Sequence, residues 1–302
     1  MVNYARFFSK VALERKPSPI RVLTAIQASA GPEMISLAGG QPNPGLFPIN
    51  GVSFTVAGEQ IQIPQKMVAK GLQYAPSKGI PEFLDEIKRL RHRYHGVSAF
   101  ESEIDTCVSV GSQNGLEMLL SSLVDHGDGI LLDEPCYPGT KAILGPLGAS
   151  MIGVDTDADG MDLKDLIKKI NQAKKENIKL KAIMTVSNGG NPNGSTMSLS
   201  RRQKLLEIAE IYDLLIIEDD PYYFLQFDEP TQSIFALDWM SDNPAKRTIR
   251  SDSLSKVVSA GIRVGWITGP NEVIQKVELH TQASTMHCPA LIQVISTLIN
   301  IN

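Results

Sequence analysis

Between Thr106 and Asp220 short apolar runs alternate with longer segments of helical periodicity, and this alternation restricts the fold more than any other feature of the chain. The runs are "TCVSV", "GILLDEP", "ASMIGVD", "LKAIMTV" and "DLLIIEDD". Among the segments between them are "NGLEMLLSSLV" and "SLSRRQKLLEIAEIYD". The second places Leu199, Leu205, Leu206, Ile208, Ala209 and Tyr212 at helical spacing, with Ser198 or Ser200 available as a cap. Runs of Ile, Leu and Val on both faces suit strands covered by helices on both sides, so the pattern predicts an α/β unit with a mostly parallel central sheet. At 302 residues the chain can build one large domain and a smaller appendage. No run approaches the roughly 20 apolar residues of a membrane-spanning helix.

Outside this unit the signals are weaker. The first hundred residues contain "RKPSPIR", "SLAGGQPNPGLFP" and "LQYAPSKGIPEF", where proline and glycine interrupt every candidate element. They read as an arm and loops leading into a helix from Pro81 to Tyr94. The segment from Asn271 to Asn302 reads as largely helical with a break near Pro289. The start, "MVNYARFFSKVALERKPSPIR", has Glu14 as its only acid. It suits either a weak organellar transit peptide or an ordinary helix ending before Pro17 and Pro19.

The 29 Lys and Arg against 33 Asp and Glu leave a net charge of −4, which supplies no global basic field for nucleic acid or an anionic membrane. Cys107, Cys136 and Cys288 are too few and too scattered for a disulfide framework or a thiolate zinc site, and they suit a reducing compartment. Cytoplasm and mitochondrial matrix both satisfy that condition.

In an open α/β sheet, polar residues just beyond the carboxyl ends of strands are the first candidates for ligand contact. "VSVGSQNGLEMLL" places Gly111, Ser112 and Gln113 between a strand and a helix start, where first-turn N–H groups can hold phosphate. A plain turn and cap also accounts for them. Tyr137 in "LLDEPCYPG" can stack on a flat heteroaromatic ring or pack as an ordinary turn residue. Asn191 in "TVSNGGNPNG" can donate to a ring oxygen or close an Asx-turn. "IIEDDPYYFLQF" supplies Asp219, Asp220, Tyr222 and Tyr223; a carboxylate there can keep a pyridine nitrogen protonated. Glu218, Asp219 and Asp220 do not read as a metal site, because adjacent strand side chains leave on opposite faces. Finally, "SDSLSKVVSAGIRVGWITG" sets Lys256 after Ser253 and Ser255 and before Arg263. An isolated lysine projects into water, but with these partners it can hold an aldehyde carbon while the serines and Arg263 bind phosphate.

The ordered series "NYARF", "PSPIR", "MISLAGGQPNP", "LQYAPSKGIPE", "LLDEPCYPGT", "IIEDDPYYFLQF" and "SDSLSKVVSAGIRVGWITGP" resembles the fold-type I, aspartate-aminotransferase-like family of pyridoxal-phosphate enzymes. Within that family it is similar to the branch that includes the kynurenine/alpha-aminoadipate aminotransferases. The resemblance implies pyridoxal 5′-phosphate as cofactor and Lys256 as the lysine that carries it. It makes Asp219 the partner of the pyridine nitrogen, and Tyr222 and Asn191 donors to the ring hydroxyl oxygen. Tyr137 matches the stacking residue, and Ser112, Gln113, Ser253, Ser255 and Arg263 match the phosphate shell. Tyr74 matches a residue that reaches the phosphate of a neighbouring subunit, which implies a homodimer with shared active sites. Arg21 and Gly40 would lie near the substrate, together with Tyr74 and Asn191.

The reaction implied is ping-pong transamination from 2-aminoadipate, kynurenine or a related L-amino acid to a 2-oxo acid such as 2-oxoglutarate, with Lys256 moving the α-proton. The domain division implied is an arm and part of a small domain over 1–50, and a large cofactor-binding domain with the start of a connecting helix over 51–302. Two departures accompany the resemblance. "SNGGNPNG" stands where relatives more usually have proline before the asparagine and threonine after it. Relatives also continue well beyond this length, completing the small domain and supplying an arginine for the substrate α-carboxylate. The resemblance therefore implies an incomplete small domain, and a catalytically impaired, oligomerising form is the alternative reading.

Overall fold

The computed structural model describes residues 2–30, 33–35, 37, 40–98, 100–227 and 229–299. Its strands, in chain order, are β1 (Ser53–Val56), β2 (Glu59–Gln62), β3 (Ile104–Ser109), β4 (Gly129–Glu134), β5 (Ser150–Asp157), β6 (Gly160–Met161), β7 (Leu180–Thr185), β8 (Leu215–Asp219), β9 (Thr248–Ser253) and β10 (Gly265–Pro270). Eight of them form one sheet in the order β3-β10-β9-β8-β7-β4-β5-β6. The pairings from β9 through β8, β7 and β4 to β5 are parallel, and β10 runs antiparallel to both of its neighbours. The mostly parallel sheet expected from the apolar runs is present. Because β10 is reversed, β3 points the same way as β9, and the carboxyl ends of β3, β4, β7, β8 and β9 share one edge.

The strand side chains divide between two cores with a period of two. Ile130 and Leu132 of β4, Ala182 and Met184 of β7, and Leu215 and Ile217 of β8 pack on one face with Leu116, Leu119 and Leu123 of helix Gly111–Leu123. Leu131, Ile183 and Ile216 face the other way, against Leu166, Ile170, Leu205 and Ala209. Each Leu, Ile or Met among them contributes about 1.5–3 kcal/mol when removed from water, so neither face of these strands can be left open. Helix Leu163–Lys175 shows how the local sequence supports this packing. Asp162 caps it through the N–H groups of Lys164 and Asp165, while Leu166, Ile170 and Ala173 form its buried stripe.

Helix Leu199–Ile211 sits where its periodicity predicts, but two details differ. Ser198 occupies the cap position without capping, its hydroxyl instead meeting that of Ser200 at 3.4 Å. The inner face also carries Arg202, fully buried and hydrogen-bonded to the carbonyls of Met197, Ser187 and Gln232 and to Asn188 Oδ1. The helix Pro81–His95 and the break at Pro289, between helices Asn271–Ala283 and Ala290–Leu298, match expectation. The expected helical run to Asn302 is described only as far as 299.

The first hundred residues hold more regular structure than an arm and loops. Helix Pro19–Ser29 starts with proline at its first position. β1 and β2 form a hairpin around Ala57 and Gly58, both at positive φ. That turn geometry is usually announced by Asn-Gly or Asp-Gly, and "AG" gives no such signal. Among the described residues no helix is long and apolar enough to cross a membrane, and no group of His, Cys, Asp and Glu is placed to hold a metal ion.

Candidate active site

The five aligned carboxyl ends deliver the polar residues singled out in the sequence to one edge of the sheet. β3 leads to Ser112 and Gln113, β4 to Tyr137, β7 to Asn191, β8 to Asp219 and Tyr222, and β9 to Ser253, Ser255 and Lys256. The reversed β10 brings Arg263 to the same edge at its amino end. These ten residues, with Leu116, Val186, Pro221 and Ala260, line one cavity of about 190 Å³. Burial on both faces holds the strands, and the chemistry is left to the turns that leave them.

At one end of the cavity Arg263 is the organiser. Its guanidinium donates to Ser255 Oγ (3.2 Å), to the Ala260 carbonyl (3.1 Å) and to the Val110 carbonyl (3.3 Å). Ser253 Oγ accepts from the Ser255 N–H at 3.1 Å. Helix Gly111–Leu123 begins here without a side-chain cap, so its first-turn N–H groups and positive dipole end face the same space. Gly111, at φ +76°, is where Arg263 crosses the helix start; a Cβ there would collide with the guanidinium. An anion is the natural occupant of this end.

Across the cavity Gln113 Nε2 donates to the Gly139 carbonyl at 3.1 Å, beside the half-exposed ring of Tyr137. A Cβ on Gly139 would run into both side chains. Asn191 Nδ2 donates to the Tyr222 hydroxyl at 3.4 Å, which joins two of the expected ring-oxygen donors.

Asp219 lies on the cavity side of β8, 5% exposed, with Oδ1 buried and without a hydrogen-bond partner. Burial raises its carboxyl from 3.8 to about 7, reinforced by Asp220 and Asp252, with the neighbouring Ser251 hydroxyl and Arg250 pulling the other way. A buried acceptor left open costs on the order of 1–3 kcal/mol, and a cationic or hydrogen-bonding ring atom would relieve it.

Its sequence neighbours turn away. Glu218 and Asp220 each lie 3.1 Å from Arg250 Nη1, and Arg250 Nη2 meets Asp252 Oδ1 at 2.8 Å. Glu218 also accepts from the N–H groups of Ile234 and Phe235. Burial opposes charge on Glu218, but Arg250 and Arg202 hold its carboxyl below the ordinary range. This buried cluster did not emerge from sequence reasoning. A signal for it exists: Glu218 with Asp220 and Arg250 with Asp252 are charged pairs spaced by two on adjacent strands, and the register sets Glu218 opposite Arg250.

Three expected residues stand outside the cavity lining. Tyr74 is 51% exposed, with its ring edge-on to His287. Arg21 donates to the Ala75 carbonyl at 3.0 Å and keeps Nη2 buried without a partner. Gly40 is exposed, with open space where a Cβ would be.

Comparison with known proteins identifies the family. The aminotransferase class I and II family matches residues 55–299. A relative from Bos taurus, kynurenine/alpha-aminoadipate aminotransferase, mitochondrial, is 41% identical over 97% of this chain and 71% of its own length. The crystal structure of an aminotransferase from Candida albicans superposes with a TM-score of 0.85 at 25% identity, over 98% of this chain and 69% of that one. The kynurenine aminotransferase of Pyrococcus horikoshii, 29% identical, gives 0.71 over 98% of this chain and 70% of that one. The chain therefore belongs to the class I and II aminotransferases, the fold-type I enzymes that work with pyridoxal phosphate.

Proposed function

We propose that this chain transfers the amino group of 2-aminoadipate, kynurenine or a related L-amino acid to 2-oxoglutarate, with pyridoxal 5′-phosphate held in the cavity at the sheet edge. The observation that carries the reading is the convergence of Lys256, the unpartnered Asp219 Oδ1 and Arg263 on one cavity. The donor set fits the cofactor. Arg263, Ser253, Ser255 and the helix start at Ser112 and Gln113 suit its phosphate, and the Tyr137 ring suits its face. Asn191 and Tyr222 suit its ring oxygen, and Asp219 its cationic nitrogen.

When bound, the cofactor supplies an electron sink that lets a substrate Cα–H bond break heterolytically. Lys256 Nζ is the covalent anchor and the base that removes that proton. Asp219, ionised opposite a cation, keeps the sink effective. Exposed and outside its own cavity, Tyr74 is suited to reach the phosphate in a second subunit of a homodimer, and Arg21 and Gly40 belong to the substrate side. The names of the mammalian relatives, which include "mitochondrial", support a mitochondrial location over a cytoplasmic one, whereas the basic start of the chain adds nothing to that, since Phe7, Phe8 and Ala12 pack into the core. Borohydride reduction of the loaded protein followed by peptide mapping is expected to place a pyridoxyl group on Lys256. Reproducible labelling of another lysine would overturn the assignment.

A further inference from the structure

The turn that carries Asn191 is closed by backbone hydrogen bonds and tied to the sheet by a side chain. Gly190 donates to the Ser195 carbonyl (2.7 Å) and accepts from the Gly194 N–H (2.5 Å). Into the space beside Gly190 comes the side chain of Asn193. Its Oδ1 accepts from the Ser195 N–H (3.1 Å) and hydroxyl (2.9 Å), and it would lie 2.5 Å from a Cβ at position 190. Its Nδ2 donates to Thr156 Oγ1 on β5 at 2.9 Å. That hydroxyl in turn donates to the Glu134 carbonyl at 3.0 Å, at the end of β4, three residues before Tyr137.

We propose that Asn193, seated against Gly190 and linked through Thr156 to the end of β4, is a positioning residue that sets the distance between Asn191 and Tyr137 and so the width of the cofactor cleft. The inference rests on the reading that both residues contact the cofactor. Asn191 and Tyr137 leave different strands, and backbone pairing ends before either is reached. The side-chain link supplies a constraint where the sheet no longer does.

The test titrates pyridoxal phosphate into the cofactor-free protein, following absorbance, and records thermal unfolding of each variant. Asn193→Ala and Thr156→Val are each expected to weaken binding about fivefold, about 1 kcal/mol, the scale of the one hydrogen bond that both variants lose. The double variant should bind no more weakly than Asn193→Ala alone, because both break one link. Melting temperatures should stay close to that of the parent. Unchanged affinity in the single variants, or losses that multiply in the double, would overturn the proposal. Thr156→Val leaves the turn's own bonds intact and decides the question alone if Asn193→Ala fails to fold. An Asn191→Ala protein separates the two levels: if it binds the cofactor as the parent does, the reading of Asn191 fails, whereas weakening by Asn191→Ala with none from Thr156→Val sinks only the link.

Discussion

Asp219 and Asp220 are adjacent in the chain and belong to different environments, because successive side chains of β8 leave on opposite faces. Asp220 joins Arg250, Ser187 and Asn188 in the interior, whereas Asp219 faces the cavity with one oxygen unbonded. Asp219→Asn keeps the volume and removes the charge, so turnover should fall about 100-fold or more, the scale of a lost preorganised electrostatic contact. Cofactor occupancy should fall much less. Wild-type turnover in Asp219→Asn, with loss in Asp220→Asn, would reverse the two roles. The same residue predicts a pH effect in the cofactor-free protein. Burial lifts its carboxyl from 3.8 to about 7, so between those values the folded state binds the proton more than the unfolded chain does. The resulting stability is present below about pH 4 and is lost as pH rises toward 7. Denaturant unfolding of parent and Asp219→Asn across that window should show the smaller decline in the variant; parallel curves would contradict the assignment.

Strand β9 is the element least visible in the sequence and the one on which the site depends. "TIRSDS" contains one aliphatic residue, yet all six positions are buried. Its charged side chains are paired inside the sheet rather than by solvent: Arg250 bridges Glu218 and Asp220 next door and Asp252 on its own strand, and its guanidinium lies 4.8 Å from the centre of the Tyr223 ring, whereas the Thr248 and Ser251 hydroxyls are buried without a hydrogen-bond partner. This cluster ties β9 to β8 just before the turns that present Lys256 and Tyr222. Removing Arg250 takes away the guanidinium that three buried carboxylates share. Arg250→Met is therefore expected to destabilise the fold by about 3–5 kcal/mol, read as a lower denaturant midpoint. A loss below about 1 kcal/mol would mean that Arg202 and the backbone donors suffice.

At the scale of the whole molecule, the arm raises the question of a second subunit. Helix Pro19–Ser29 exposes Ile20, Val22, Leu23 and Ile26, and Tyr74 and Arg21 lie outside the cavity lining. If Tyr74 completes a neighbour's phosphate site, Tyr74→Phe and Lys256→Ala homodimers are each impaired for different reasons. Unfolding and refolding them together should then restore roughly a quarter of wild-type activity, since random pairing makes half of the dimers mixed and each mixed dimer holds one intact site. Activity that never exceeds the average of the two parents would rule out sharing through Tyr74.

The apolar alternation between Thr106 and Asp220 determined β3, β4, β5, β7 and β8 and their covering helices, because strands buried on both faces can be satisfied in few other ways. The turn residues Ser112, Tyr137, Asn191, Asp219, Lys256 and Arg263 were legible for a related reason: each lies beside a strand signal, or beside others that do, and carries a group suited to a ligand. Tertiary structure alone decided the remainder. Arg250 meets Glu218 and Asp220 only through the register of β8 with β9, and Gly111 and Gly139 acquire meaning only from the side chains that cross them. The hairpin at Ala57 and Gly58 has a turn geometry that its residues do not announce. Composition and periodicity report which residues leave water, whereas the partners of a buried charge and the space beside a glycine are set by segments distant in the chain.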